Sequence, residues 1–250
     1  MSVSAILRAC ALLLTLATLP GCDNADSASP RMGADNGKAG SMARFAVLGN
    51  TLYTVDGQSL RVFDLSNPAA PVPAGQTPLG VGIETIFPQA PYLFIGTQMG
   101  MFVFDASNPL QPRQLSFYRH AVSCDPVVVD GRYAYLTLRE GRTCGGGINQ
   151  LQVIDLQDLN APRLAQSYPM TKPYGLGTED QSLFVCDDGL KVFDTRLSPT
   201  LTQTEHHAIE AYDVIPDQGR LFVIGPGGLY QYQHSGGRLT RLSVLPITPR

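Results

Sequence analysis

Five polar or ionisable residues stand at regular places along the chain, and together they could form a binding site. Each lies eleven residues before the same point of a short apolar segment: Arg44, Glu84, Asp125, Tyr174 and Asp213. Carboxylates that are brought together disfavour one another's ionised forms, so one of them can hold a proton or recruit a cation. Such a ring at the mouth of a cavity is a candidate ligand site. In the alternative interpretation, Arg44 neutralises the carboxylates and water fills the cavity.

Further polar residues lie in the segments that surround these five positions. The candidates are His120, Arg139, Lys172 and His207. A metal site could be imagined from His120, Asp125, His207 and Asp213, but the chain has no short His/Cys spacing of a known metal site. We therefore predict no metal and no other cofactor, and solvated loop histidines are the favoured interpretation.

Catalysis by the same ring is the alternative to simple binding. Two carboxylates among Glu84, Asp125 and Asp213 could serve in the opposed roles that glycoside hydrolysis requires. No serine stands in a recognisable nucleophile turn, so a Ser-His-Asp triad is not predicted.

An eleven-residue phrase shows which elements must position these residues. The phrase RVFDLSNPAAP at residues 61–71 returns as FVFDASNPLQP at 102–112, with weaker copies at 152–162 and 191–199 and a degraded one at 229–232. The period of about 40 residues indicates a repeat architecture. The shared aspartates are interpreted as structural, because a carboxylate after a strand can accept backbone N–H bonds across the following turn; these are Asp64, Asp105, Asp155 and Asp194.

Each repeat also contains three further short segments of β-branched, aromatic or alternating residues, which are typical of strands. Four strands in each of five units predict an all-β fold, a β-propeller of five blades with four antiparallel strands each. The predicted units are residues 43–80, 81–120, 121–171, 172–208 and 209–250. The rival is an open array of the same units, and a closed ring is favoured because it protects the sheet edges.

Several stretches resemble the LVIVD-repeat family of exported bacterial propellers, which is named for its third-strand motif. They include GIETIF, CDPVVVDGRYAYLTLR, NQLQVIDL and LFVCDDGLKVFD. The resemblance covers residues 42–250. It implies a surface or periplasmic lipoprotein without an established activity.

The N-terminal segment is interpreted as a lipoprotein signal peptide over residues 1–21. Arg8 precedes an apolar run at residues 9–19, which is too short to span a bilayer. The run ends at LPGC, which resembles the bacterial lipoprotein signal in which the cysteine, here Cys22, is acylated. Residues 22–42 would be the lipidated cysteine and a flexible tether. The alternative is an ordinary secretory peptide that happens to contain a cysteine.

Export would place the remaining cysteines in an oxidising compartment, where a pair tends to be bridged. Cys124 begins the first strand of the third unit, and Cys144 lies in the one long insertion of the repeats. A disulfide between them would hold this Gly-rich loop over the central channel of the propeller. Cys186 is interpreted as a buried, inert residue. A formal net charge of −3, with no basic stripe, argues against a nucleic acid partner.

The sequence therefore predicts a lipid-anchored β-propeller of the bacterial cell envelope, periplasmic or surface-facing, that acts as a binding module. Its expected partners are the membrane, through the lipid on Cys22, and an unknown protein or small-molecule ligand. The alternative function is a carbohydrate-active or other hydrolytic enzyme that uses carboxylates of the ring.

Overall fold

A computed structural model describes residues 40–121, 123, 126–141 and 147–247. These residues form twenty β-strands and no helix. The strands build five antiparallel sheets, each made of four consecutive strands paired in chain order. The predicted five-bladed β-propeller is thereby confirmed.

The blades are numbered in chain order, and each is given from its first to its last strand. Blade 1 has β1 (Phe45–Leu48), β2 (Thr51–Val55), β3 (Ser59–Asp64) and β4 (Val72–Pro78), and blade 2 has β5 (Ile83–Gln89), β6 (Tyr92–Thr97), β7 (Gly100–Asp105) and β8 (Arg113–Arg119). Blade 3 has β9 (Val127–Asp130), β10 (Tyr133–Leu138), β11 (Gln150–Asp155) and β12 (Arg163–Pro169), and blade 4 has β13 (Leu176–Glu179), β14 (Ser182–Cys186), β15 (Leu190–Asp194) and β16 (Thr202–His207). Blade 5 has β17 (Asp213–Asp217), β18 (Arg220–Gly225), β19 (Gly228–Ser235) and β20 (Arg238–Pro246).

The sequence pattern of each strand follows its distance from the centre. The first strands of consecutive blades pack against one another, so they are the innermost. The second strands of blades 2 to 4 are covered on both faces by neighbouring blades, and every residue of β14 is buried. The last strands lie at the outside, where β4 and β20 are almost wholly exposed and carry mostly polar residues or proline. A strand that is buried on both faces needs a continuous apolar run, whereas an outer strand does not.

The four repeated aspartates stabilise turns, as predicted. The carboxylate Oδ1 of Asp64, Asp105, Asp155 and Asp194 accepts the backbone N–H of the residue two positions later, at 2.8–2.9 Å. Each of these turns ends a third strand. The pKa of each carboxyl is lowered, mainly by hydrogen bonds to the ionised form from side chains such as Ser66 and Arg132.

The hydrophobic core consists of four clusters, each between two consecutive blades. We call the face of a blade that meets the preceding blade its front and the opposite face its back. Tyr53 on the back of blade 1, for example, packs in one cluster with Ile86 and Phe104 on the front of blade 2. Each cluster buries large apolar side chains, which supplies the main driving force for association of the sheets.

Within the described residues, no fifth cluster joins the back of blade 5 to the front of blade 1. Phe45, on the front of blade 1, is 60% exposed, although the residues in the same register position of the other four blades are fully buried. Ile224, on the back of blade 5, is 45% exposed, while its counterpart Cys186 is fully buried. We call this region the open seam. The closed packing that the sequence favours is therefore not reached between these two blades.

The residue types at the open seam explain part of the difference between this seam and the four packed blade contacts. Thr54, in the second strand of blade 1, occupies a position that is apolar in the other blades: Ile95, Leu136, Val185 and Val223. Gln231, in the third strand of blade 5, occupies a position that is valine in the other four blades. Polar side chains reduce the free energy gained by burial, so these two faces pack less favourably than the other pairs.

Two further findings bear on the predictions about the ends and the cysteines. In the part of the chain that the structure describes, no helix is long and apolar enough to cross a membrane. Cys186 is fully buried at the end of β14, and burial raises the pKa of its thiol, which agrees with an inert role.

Candidate functional site

A cavity of about 230 Å³ opens where the first strands of blades 1 to 4 begin. We call it the mouth cavity, and its lining consists of Met42, Arg44, Glu84, Thr85, Pro126, Arg139, Pro173 and Tyr174. The structure thus brings together four of the predicted site residues, from four different blades: Arg44, Glu84, Arg139 and Tyr174. Whether they bind a ligand stays a prediction.

The strand register shows which of the five counted residues are truly equivalent. Phe45, Ile86, Val127, Leu176 and Val214 all pair with the same position of their second strands. Two residues before them stand Ala43, Glu84, Asp125, Tyr174 and Tyr212. Arg44 and Asp213 therefore lie one position further along than the other three predicted residues. The sequence count started from apolar residues of the second strand, and adjacent apolar residues cannot be distinguished by type, so the count was wrong by one residue in blades 1 and 5.

Tyr174 is the aromatic centre of the site. Its backbone N–H donates to the carbonyl of Cys186 at 2.8 Å, which continues the pairing of blade 4 beyond the strand. The guanidinium carbon of Arg139 lies 4.3 Å from the centroid of the Tyr174 ring, and the Lys172 ammonium lies 5.8 Å from it. The Tyr212 ring lies 5.6 Å away. Two cations therefore lie near one phenol ring, and of these Arg139 lines the mouth cavity.

Tyr212 packs beside Tyr174 without lining the mouth cavity, and the sequence did not indicate this contact. It occupies the position of blade 5 that corresponds to Tyr174, and its backbone N–H donates to Ile224 just as Tyr174 donates to Cys186. Blade 5 has Gln233 in place of the turn aspartate, so the strand pairing, and not a sequence motif, identifies this position.

A buried carboxylate holds the segment that precedes Tyr174. Asp187 accepts the backbone N–H groups of Thr171 and Lys172 at 3.0 and 2.6 Å, and it pairs with the Lys191 ammonium at 2.7 Å. Its side chain is fully buried. The turn that carries Lys172 is therefore fixed by a neutralised and fully hydrogen-bonded group.

Glu84 and Thr85 form the blade 2 wall of the mouth cavity. Glu84 is half-buried, and its Oε1 accepts the side-chain amide of Gln98 at 3.1 Å. Thr85 is buried, and its hydroxyl has no hydrogen-bond partner among the described residues. A buried hydroxyl without a partner is costly, so this wall has unused hydrogen-bonding capacity.

Asp213 is placed away from the lining of the mouth cavity. Its Oδ1 accepts the hydroxyl of Ser41 at 3.1 Å, and the same hydroxyl accepts the backbone N–H of Leu176 at 2.8 Å. A Cβ at Gly175 would clash with the carboxylate, so glycine lets it approach. Burial raises the pKa of Asp213 to about 6. The residue therefore ties the segment before β1 to blades 4 and 5.

The remaining predicted residues lie apart from the mouth cavity lining or outside the described residues. Lys172 lines a second cavity of about 440 Å³ on the other side of Tyr174, together with Asp188, Ile209 and Glu210. His207 lies at the end of the outer strand β16, with its Nε2 2.8 Å from Glu205. His120 follows β8, with its Nδ1 2.6 Å from the carbonyl of Ala121. Asp125, Cys22, Cys124 and Cys144 lie outside the described residues.

Among the described residues, one group of side chains has the spacing of possible metal ligands: Glu179, Asp180 and His234. The Glu179 carboxylate already accepts the backbone N–H groups of Gln218 and Gly219 and contacts His234 Nε2 at 2.9 Å. Glu179 therefore links blades 4 and 5 by hydrogen bonds. The group includes none of the four residues that were considered as metal ligands from the sequence.

Comparison with known proteins supports the fold and one repeat. The family model described as the LVIVD repeat matches residues 39–77, which confirms the predicted resemblance. No curated protein matches the sequence.

Solved structures share the architecture at low sequence identity. A periplasmic gluconolactonase of Pseudomonas aeruginosa, PpgL, is 17% identical with a TM-score of 0.60, over 80% of this chain and 68% of that one. BamB from Moraxella catarrhalis is 11% identical with a TM-score of 0.58, over 77% of this chain and 57% of that one. A functionally unknown protein from Desulfotomaculum acetoxidans is 10% identical with a TM-score of 0.64, over 88% and 74%. The chain thus carries an LVIVD repeat at residues 39–77, at the start of a five-bladed β-propeller.

Proposed function

We propose that this protein is a binding module whose ligand occupies the mouth cavity. The observation that carries the proposal is the convergence of Arg44, Glu84, Arg139 and Tyr174, from four blades, on one cavity. Small-molecule sites are typically concave, with a few polar groups placed to orient the ligand. A propeller supports such a site well, since packed sheets hold each side chain in place.

A hydrolytic enzyme is the second candidate function. One structure with the same fold is named a gluconolactonase. Glu84 is the one carboxylate that lines the mouth cavity among the described residues, so it would be the general base. This alternative requires that Glu84→Gln removes turnover of a lactone or glycoside while ligand affinity changes little.

Thermal unfolding of the full chain against a panel of ligands tests the proposed site. The panel contains neutral sugars, sugar acids, amino acids, peptides and divalent cations. A ligand at 100 times its dissociation constant stabilises the fold by about 2.7 kcal/mol, which shifts the unfolding midpoint measurably. We expect one class to raise the midpoint, and Tyr174→Leu to abolish that rise.

The matched control is Arg113→Gln, which removes a charge from the exposed outer strand β8. It should leave the shift unchanged. If no class shifts the parent protein and Tyr174→Leu is as stable as the parent, the mouth cavity holds only solvent and the proposal fails.

We further propose that the module is anchored to the bacterial cell envelope by acylation of Cys22, with residues 22–42 as a tether. The support is the apolar run followed by LPGC at residues 19–22. Metabolic labelling with an alkyne fatty acid should label the parent and not Cys22→Ser. Equal labelling of both forms, or of neither, would refute the anchor.

A further inference from the structure

The mouth cavity carries an excess of positive charge among the described residues. Arg44 and Arg139 line it with Glu84, and no described carboxylate lies within ion-pair distance of either arginine. Two guanidinium groups that line one cavity, with no ion-pair partner among the described carboxylates, favour a negatively charged ligand.

Arg139 supplies the donors that suit an anion. Its guanidinium carbon lies over the ring of Tyr174, 4.3 Å from the ring centroid. A guanidinium carries five N–H donors in a planar fork, and that fork matches the two oxygens of a carboxylate.

The blade 2 wall of the mouth cavity offers groups that suit hydroxyls on the ligand. Glu84 offers an acceptor, since its Oε1 bonds Gln98 and a carboxylate can accept several further hydrogen bonds. The Thr85 hydroxyl, which is 4% exposed, has no partner among the described residues. A ligand hydroxyl could donate to Glu84 and pair with Thr85, which would remove the cost of that unsatisfied group.

We infer that the ligand is a small polyhydroxylated carboxylate, that is, a sugar acid. One negative charge on the ligand balances the charged residues of the described lining, which are two arginines and one glutamate, and neither a neutral sugar nor a zwitterionic amino acid does so. The volume of about 230 Å³ equals that of about eight liquid waters at about 30 Å³ each, so the ligand is a small molecule. This inference rests on the proposed function, because it names the ligand class of the same cavity.

Isothermal titration of the full chain with sodium D-gluconate tests the inference, with sorbitol, alanine and inorganic phosphate as comparison ligands. Sorbitol keeps the hydroxyls of gluconate and lacks the carboxylate. We expect gluconate to bind at least tenfold more tightly than any of the three. The affinity should fall at least tenfold in Arg139→Gln and in Arg44→Gln, and stay unchanged in Arg113→Gln.

Thr85→Val separates recognition of hydroxyls from maintenance of the fold. Valine has nearly the same shape and removes a buried hydroxyl that lacks a partner, so the unfolding midpoint should be maintained or rise. Gluconate affinity should nevertheless fall severalfold, an effect that a purely structural role of Thr85 would not produce.

The failure of this inference differs from failure of the proposed function. If sorbitol or alanine binds as tightly as gluconate, and Tyr174→Leu abolishes that binding, the mouth cavity is a site for another ligand class and the inference is wrong. Phosphate that binds as tightly as gluconate also overturns it, since a simple anion site would not need hydroxyls. If no ligand of the wider panel binds, both proposals fall.

Discussion

Phe45 and Ile86 occupy the same register position in neighbouring blades, but Phe45 is 60% exposed and Ile86 is fully buried. Ile86 packs against the back of blade 1, whereas Phe45 faces the open seam. The same register position is therefore buried between two blades in blade 2 and exposed at the open seam in blade 1.

This pair gives a direct test of the open seam. We expect Ile86→Ala to lower the free energy of unfolding by about 2–5 kcal/mol, because it leaves a cavity in a packed core. Phe45→Ala should cost less than about 1 kcal/mol, as is usual for exposed positions. Denaturant unfolding of the two variants measures the difference. Equal losses would mean that blades 5 and 1 pack together in solution.

The raised pKa of Asp213 predicts a pH dependence of stability. Because burial raises its pKa to about 6, the folded state binds the proton more tightly than the unfolded chain, whose carboxyl titrates near 3.8. The favourable contribution of protonated Asp213 is complete below that lower value and is lost as the pH rises through about 6.

Asp213→Asn isolates this contribution, because an amide does not titrate. From pH 4 to pH 7 the free energy of unfolding of the variant, relative to the parent, should rise by up to about 3 kcal/mol. Urea titrations at several pH values measure it. A difference that does not vary with pH would contradict the assigned shift.

The hydroxyl of Ser41 joins three parts of the chain, and its loss should weaken that junction. It donates to Asp213 and accepts the backbone N–H of Leu176, so Ser41→Ala leaves two largely buried groups without this partner. We expect a loss of about 1–3 kcal/mol in the free energy of unfolding. Faster amide exchange of Leu176 should accompany it. The control is Ser66→Ala, which removes an exposed hydroxyl bonded to Asp64 and should change stability little.

The buried pair of Asp187 and Lys191 should show strong energetic coupling. Asp187→Ala leaves the Lys191 ammonium without its partner, at a cost of about 3–5 kcal/mol. In Asp187→Ala with Lys191→Met, part of that loss should be recovered, because the stranded charge is gone. A double-mutant cycle by chemical denaturation measures the coupling. The exposed pair of Arg61 and Asp56 serves as the comparison and should show little coupling, and equal couplings would refute the importance of burial.

The fold was largely predictable from the sequence, because the sequence features that indicate it are local and occur in several repeats. Strand alternation and the turn aspartates depend on near neighbours in the chain; the alternation recurs in all five units and the aspartate in four of them. Glu84 and Tyr174 could also be found by counting, since the apolar residues counted from in blades 2 and 4, Ile95 and Val185, occupy the same register position.

Other parts of the site depended on information that counting does not contain. Arg44 and Asp213 were placed one position away from the true register, because only backbone pairing distinguishes adjacent residues in an apolar run. Arg139 and Tyr174 belong to different blades, so their contact cannot be read from spacing along the chain. The Thr85 hydroxyl lacks a hydrogen-bond partner among the described residues, and this too depends on which groups surround it in space.

By itself, then, the sequence determined the repeating unit, the number of blades and the polar character of the strand beginnings, since each follows from side-chain alternation within about 40 residues. Only the tertiary structure decided which polar residues share the mouth cavity, and that Phe45 faces an open seam while Ile86 is buried. Burial and electrostatic pairing are properties of what packs against a residue, and in a propeller that neighbour belongs to another blade.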